Sequence, residues 1–221
     1  MIRRFAIAGA VVASVAILVA IGLRVRDHFA PGVRGSGTLK TETFDLERFD
    51  QVTLVGVGTA RIDIGEPQLL EITTDDNLFA LLSIGVKEGT LAIRSLQEIR
   101  PSELLVKIRV PDLRGVALAG YPTVEVPSIV RESFGITIAG HGIAKVSGKT
   151  DSLKVKITGN GLVLATGLAA RRAEVEIAGA GDVELHASDA LAVTCYGSGH
   201  VRYRGEPKLT STGDASVERL D

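Results

Sequence analysis

The chain has 221 residues, a formal net charge of −1, one cysteine, and 4% aromatic residues with no tryptophan. A near-neutral chain has no bulk attraction for nucleic acid or for an anionic surface. So few rings leave little to stack on bases or sugars, and Cys195 alone forms no internal disulfide.

The first element is an apolar run at residues 5–23, FAIAGAVVASVAILVAIGL. At about 1.5 Å per residue a helix of that length reaches roughly 28 Å, close to the hydrocarbon thickness of a bilayer. Arg3 and Arg4 precede it, and Arg24 and Arg26 follow it. Arginines directly after the run, and Pro31 after the small Ala30, make a poor signal-cleavage site. Residues 1–23 are therefore expected to be a membrane anchor or signal segment, read here as one uncleaved transmembrane helix. The amino-terminal charge tips the orientation toward a cytoplasmic N-terminus and a C-terminal domain outside the cytoplasm. Residues 24–37 follow as a charged, Gly/Pro-punctuated linker in which His28 is a solvated residue.

Residues 38–221 read as one β-rich domain. VTLVGVGTARIDIG, residues 52–65, looks like an early copy of a repeat, with Val52 and Leu54 before Gly56. The stretch from Leu69 to Ser95 reads as a strand, an Asp/Asn turn, a helical turn near Phe79–Leu82, and a hairpin through Lys87-Glu88-Gly89. A further strand, ELLVKIRV, is closed by Pro111. This half is expected to start and cap the repeat array of the second half, with a separate small β-domain as the alternative.

From residue 112 onward the chain repeats itself. The reference glycines of successive Gly-x-Gly corners or their variants are Gly120, Gly140, Gly159, Gly179, Gly197 and Gly213, a period of about 19 residues. Apolar residues recur two and four positions before each glycine, as in Val155 and Ile157, and four and six after it, as in Val163 and Ala165. Period-2 alternation on both sides of a glycine means two short strands with their apolar side chains facing one way. No segment here carries a helical period, so the pattern predicts an all-β parallel β-solenoid, with coils stacked about 4.8 Å apart.

Stacking in register makes equivalent positions neighbours, where opposite charges help and like charges hurt. Lys154 falls against Glu174 and Lys156 against Glu176, while Glu184, Arg202 and Glu218 alternate in sign. The first glycine of each corner sits where the chain must turn between inward strands, so it is read as a structural corner. A phosphate-cradling loop would need a helix after the glycines, and none follows. The last coil, KLTSTGDASVERLD, carries Ser211 and Arg219 at positions that are apolar elsewhere, as a terminal coil should.

Taken in order, TFDLERFDQVTLVGVGTARIDIG, ITTDDNLFALLSIGVKEGTLAI, the Gly-x-Gly repeats and VRYRGEPKL resemble the head GIN domain of putative auto-transporter adhesins. The most specific pieces are Tyr203-x-Gly205-x-Pro207, the Asp75–Asn77 turn and the Gly89–Ile93 hairpin. The resemblance covers about residues 38–221. It implies a right-handed parallel β-helix on an exported, often membrane-attached bacterial protein. Pro122 in place of a second glycine, and Ala215 in the last coil, depart from the repeat and suggest irregular coils at the ends of the array.

The search for chemistry finds little that converges. His200 falls over Asp182, but Leu162 and Ser216 flank the pair, and a metal needs three or four converging ligands. Cys195 faces inward by parity and reads as a core residue. Glu174, Glu176, Asp182 and Glu184 have basic neighbours that explain them without calcium. No metal, cofactor or catalytic residue is expected.

The reading is a non-enzymatic, membrane-anchored binding or adhesin-like head. It would present the variable corner residues Tyr121, His141, Asn160, Ser198 and Asp214, with Tyr196 beside them, to an envelope protein or glycan. Two alternatives stay open. One is an envelope sensor working through a partner membrane protein, since only Met1–Arg4 would lie in the cytoplasm. The other is a β-helical polysaccharide-acting enzyme using Asp182 and His200.

Overall fold

The computed structural model describes residues 32–220. The apolar run at 5–23 and the first part of the linker lie outside the described residues. Among those described, no helix is long and apolar enough to cross a membrane.

In the front half the strands are β1 (Val33–Arg34), β2 (Leu39–Phe44), β3 (Gln51–Gly56), β4 (Thr59–Ile64) and β5 (Leu69–Asp75). After a 3-10 helix at Asp76–Leu81 come β6 (Leu82–Lys87), β7 (Thr90–Ser95), β8 (Ile99–Arg100), β9 (Leu104–Val110) and β10 (Gly115–Gly120). The repeats then form four long strands, β11 (Thr123–Gly140), β12 (Ile143–Gly159), β13 (Leu162–Gly179) and β14 (Asp182–Gly197). The closing strands are β15 (His200–Arg204), β16 (Lys208–Gly213) and β17 (Ser216–Arg219).

The product is an all-β solenoid of about five turns. From β3 and β10 through β14 every coil pairs with the next in parallel, glycine on glycine: Gly56, Gly120, Gly140, Gly159, Gly179 and Gly197 form one column. The early copy at 52–65 is thus the first coil of the same array, and β3 continues it outward to β7. Three antiparallel pairings close this end, β6 on β7, β5 on β9 and β2 on β5. Leu78, on the 3-10 helix, is fully buried there. Val33–Arg34, in the segment read as linker, pairs with Ile99–Arg100.

Two short strands per coil were expected, yet β11 to β14 run unbroken for 16–18 residues. A strand in a solenoid takes its hydrogen bonds from the coils above and below, so pairing survives a bend that would end a strand in a flat sheet. The unequal coil lengths are absorbed at those bends. Between Val126 and Ile129 one extra residue bulges out of β11 against β12, which accounts for spacings of 20 and then 19.

Alternation fixes the interior. Val155, Ile157, Val163 and Ala165 are each 0% exposed, and the same columns continue through Val175, Ile177, Val183 and Leu185. The charge ladder follows the predicted register, with Lys154–Glu174 at 3.3 Å, Lys156–Glu176 at 2.9 Å and Arg202–Glu184 at 2.6 Å. The like-charged neighbours Arg61 and Lys107 turn to other partners, Glu125 at 3.4 Å and Glu71 at 2.8 Å. Such half-exposed pairs select register and add at most about 1 kcal/mol each.

The last coil departs from the alignment. Gly213 pairs with Cys195 rather than Gly197, and Ser211 with Val193, while Ser216 still pairs with His200. The final corner is two residues shorter than the others, so the strand before it slides by two and keeps its parity.

At the opposite end, Asp75 holds the chain entry in place. Its carboxylate is buried and accepts bonds from the Gly37 N–H at 2.7 Å, the Ser102 N–H at 2.8 Å and the Ser102 hydroxyl at 2.6 Å. The Ser102 hydroxyl, helped by the two N–H groups and opposed by burial, holds this carboxyl below its ordinary 3.8. A depressed folded value makes Asp75 contribute stability in full above the unfolded value, and that contribution is lost as pH falls through the folded one. Asp75→Asn, which puts an amide against these donors, is expected to lower the melting temperature by several degrees at neutral pH. The gap to wild type should close as the pH drops below 3.8; a gap that ignores pH would remove this role from the carboxylate.

Candidate binding surface

Each regular corner lifts one side chain out of the solenoid between two glycines. The first glycine of the pair has a positive φ, +115° at Gly159. The second is buried: a Cβ at Gly161 would stand 2.6 Å from Ile138 Cγ2 of the previous coil. Sequence reasoning assigned only the first glycine. The second is a packing requirement that tertiary contact alone reveals, and Pro122, also buried, takes its place in the coil where the repeat departs.

The raised residues stack. The N–H groups of Tyr121, His141, Asn160, Ala180 and Ser198 donate in turn to the carbonyls of Gly56, Gly120, Gly140, Gly159 and Gly179, at 2.8–3.0 Å. Three of the predicted contact residues become direct neighbours in this column. The Tyr121 and His141 rings lie 5.0 Å apart and 7° from parallel, and Asn160 Nδ2 stands 3.2 Å from His141 Nε2. Tyr121 is 66% exposed. Stacked on each other, the two rings have only one outer face each left for a partner.

The other predicted residues fall elsewhere. Ser198 ends the corner column, beyond Ala180. Asp214 is exposed on the shortened last corner, where the register shift takes it off the column. Tyr196, 70% exposed, belongs to the adjacent column of Val55, Ala119, Ala139, Thr158 and Ala178.

His200 Nδ1 lies 3.3 Å from Asp182 Oδ1, both side chains about half exposed, between Leu162 and Ser216 as expected. Among the described residues no three His, Cys, Asp or Glu side chains gather around a metal position. Cys195 is 1% exposed and faces the core, its Sγ 3.6 Å from the Gly197 carbonyl.

Two recesses lie away from the column's centre. An apolar one under the first corner, lined by Leu54, Val57, Leu104 and Pro122 among others, holds about 20 Å³, the room of about one water. A polar cleft of about 250 Å³ lies between residues 44–49 and 66–70. There Gln68 is already engaged, donating to the Leu46 and Glu47 carbonyls and accepting from the Phe49 N–H.

The described residues thus form a parallel solenoid whose exposed side chains make a ladder along one corner. The chain belongs to the family described as putative auto-transporter adhesin, head GIN domain, whose pattern matches residues 48–207. None of the curated proteins is detectably similar to it. Among solved structures it is similar to a putative adhesin from Bacteroides fragilis, at 21% identity and a TM-score of 0.69, over 86% of this chain and all of that one. It is also similar to a putative lipid binding protein from Parabacteroides distasonis, at 21% identity and a TM-score of 0.60, over 86% of this chain and 99% of that one. At these identities the likeness establishes the fold alone.

Proposed function

We propose that this domain is a non-enzymatic binding head of the bacterial cell envelope. It is a right-handed β-helix, tethered outside the cytoplasm by the apolar run at 5–23, and it presents its corner column to an envelope or extracellular partner. The observation that carries this reading is the contiguous, exposed Tyr121–His141–Asn160 ladder on a rigid array. Membership of an adhesin-described family supports it. The small size of the apolar recess gives no support to carrying over the lipid-binding description of the Parabacteroides distasonis protein.

In this reading Tyr121, His141 and Asn160 form the centre of contact, and Tyr196, Ser198 and Asp214 lie along its far margin. Photo-crosslinking probes at His141, Asn160 and Ser198, introduced in cells and compared with a probe at buried Val175, test it. A discrete protein or glycan adduct seen only from the corner positions is the expected result. The same adducts from Val175, or none from any corner position, would overturn the reading.

A further inference from the structure

We infer that β6 is the contact strand of a symmetric, end-to-end dimer of this chain, a role separate from that of the corner column. β6 is the last strand of the sheet and pairs with β7 alone among the described residues. The hairpin between them turns through Glu88 and Gly89, both with positive φ. Such a turn makes Lys87–Thr90, Gly85–Ala92 and Ser83–Arg94 the hydrogen-bonded pairs. The N–H and C=O groups of Ile84 and Val86 therefore point away from β7, along an edge with no partner there. An open edge of this kind is a template for another strand, and only Lys87 on β6 carries a charge to discourage one.

The core is also unfinished at this edge. One inward column runs Ile157, Ile138, Leu118, Leu54, Ile93 and Ile84, and its neighbour runs Val155, Ile136, Val116, Val52, Leu91 and Val86. Every member is buried except the last of each, Ile84 and Val86, which are half-buried beside Leu82. The C-terminal end turns inward positions polar at Ser211 and Arg219, whereas this edge stops on Leu82, Ile84 and Val86. Gly85 lies among them. Its φ is not positive, and a Cβ there would meet nothing within 4 Å. Neither a turn nor packing within this chain asks for glycine, which weakens a strand. Glycine in a strand without such a reason marks the close approach of another backbone.

The occupant that fits is a second copy. Two β6 edges pair antiparallel about a two-fold axis at Gly85, so that Ile84 faces the partner's Val86 and Val86 faces the partner's Ile84. This register uses both backbone groups of both residues on each copy. It sets Gly85 against the partner's Gly85 as a non-hydrogen-bonded pair, where Cα atoms approach to about 4.5 Å. Inward sides stay inward, so each copy lays its half-buried Leu82, Ile84 and Val86 against those of the other. Lys87 falls opposite the partner's Ser83, and no like charges meet across the edge. A peptide strand from another protein would bring neither a matching rung of core nor a second glycine. The paired edges bury less than the roughly 800 Å² per partner of a long-lived dimer, so this one exchanges and fills with concentration.

The test uses the full chain in a polyoxyethylene detergent, followed by sedimentation velocity over a concentration series and by disulfide trapping with copper phenanthroline. Wild type is expected to pass from monomer to dimer as concentration rises. Gly85→Cys should trap a covalent dimer, since Cα atoms about 4.5 Å apart lie within disulfide range. Ser83→Cys, which faces Lys87 of the partner subunit, should not. The native Cys195 is buried and stays out of the reaction. Gly85→Glu sends its side chain into open space but sets like charges together on the axis. It should stay monomeric and melt at the temperature of dilute wild type. A monomer at every concentration, equal trapping by the two cysteine variants, or a dimer that survives Gly85→Glu, as one held by the apolar run at 5–23 would, overturns the inference. So does trapping of Gly85→Cys in cells on a different protein, which would assign the edge to a foreign strand.

Discussion

Gly159→Ala is expected to destabilise the domain by about 3 kcal/mol or more, enough to lower its melting temperature by roughly 10 °C. Gly159 has a φ of +115°, a backbone conformation that an L side chain rarely adopts. An added Cβ would also stand 2.7 Å from the Gly140 carbonyl oxygen, closer than real Cβ contacts come. That oxygen has no freedom to retreat, because it accepts the Asn160 N–H at 2.8 Å and so ties one coil to the next. Gly37→Ala separates the two causes. Gly37 has a φ of +84° but open space around the added atom, so the substitution carries conformational strain alone, about 1–2 kcal/mol. Thermal melts of both variants check this, and equal losses would mean that close approach between coils contributes nothing.

Phe134→Ala is expected to cost about 3–5 kcal/mol. Phe134 is 0% exposed and heads a column that continues through Leu153, Ala173 and Leu191. Coils above and below are held by their own ladders, so the void closes poorly and the lost burial is joined by a cavity penalty. Val130, four residues earlier and 80% exposed, provides the contrast: Val130→Ala should stay within about 0.5 kcal/mol. Urea denaturation measures both. A comparable small loss at each site would mean the bend region packs loosely, contrary to the burial of Phe134.

Both predictions lie at positions where sequence and structure speak unequally. The column containing Gly159 is visible in the sequence because each coil must repeat the same turn, and a repeated steric demand leaves a repeated residue. Phe134 stands six residues before Gly140 with no register shift between them, as Leu153, Ala173 and Leu191 stand before their own glycines, so alternation predicts its inward direction, while its complete enclosure at the head of that column is what the structure adds.

The candidate surface divides in the same way. The exposure of Tyr121, His141 and Asn160 followed from their place directly after the first glycine of each corner. That Tyr121 stacks on His141, and that Asn160 reaches the same imidazole, depended on rotamers and coil spacing. Asp214 was aligned by its glycine, yet a corner two residues shorter moved it off the column. A period measured between glycines does not reveal whether a missing residue is taken from the bend or from the corner.

The sequence by itself determined the solenoid, its first coil at Gly56, the inward columns and the register of the charge pairs. Each of these follows from a local rule repeated along the chain: alternation, turn sterics, and opposite charges on neighbouring coils. Only the tertiary structure decided how the front half closes the end of the array, why the second corner glycine is needed, and that β6 ends the sheet with open space beside Gly85. Those facts depend on what stands beside a residue one coil away, and adjacency across coils exists only once the chain has been wound.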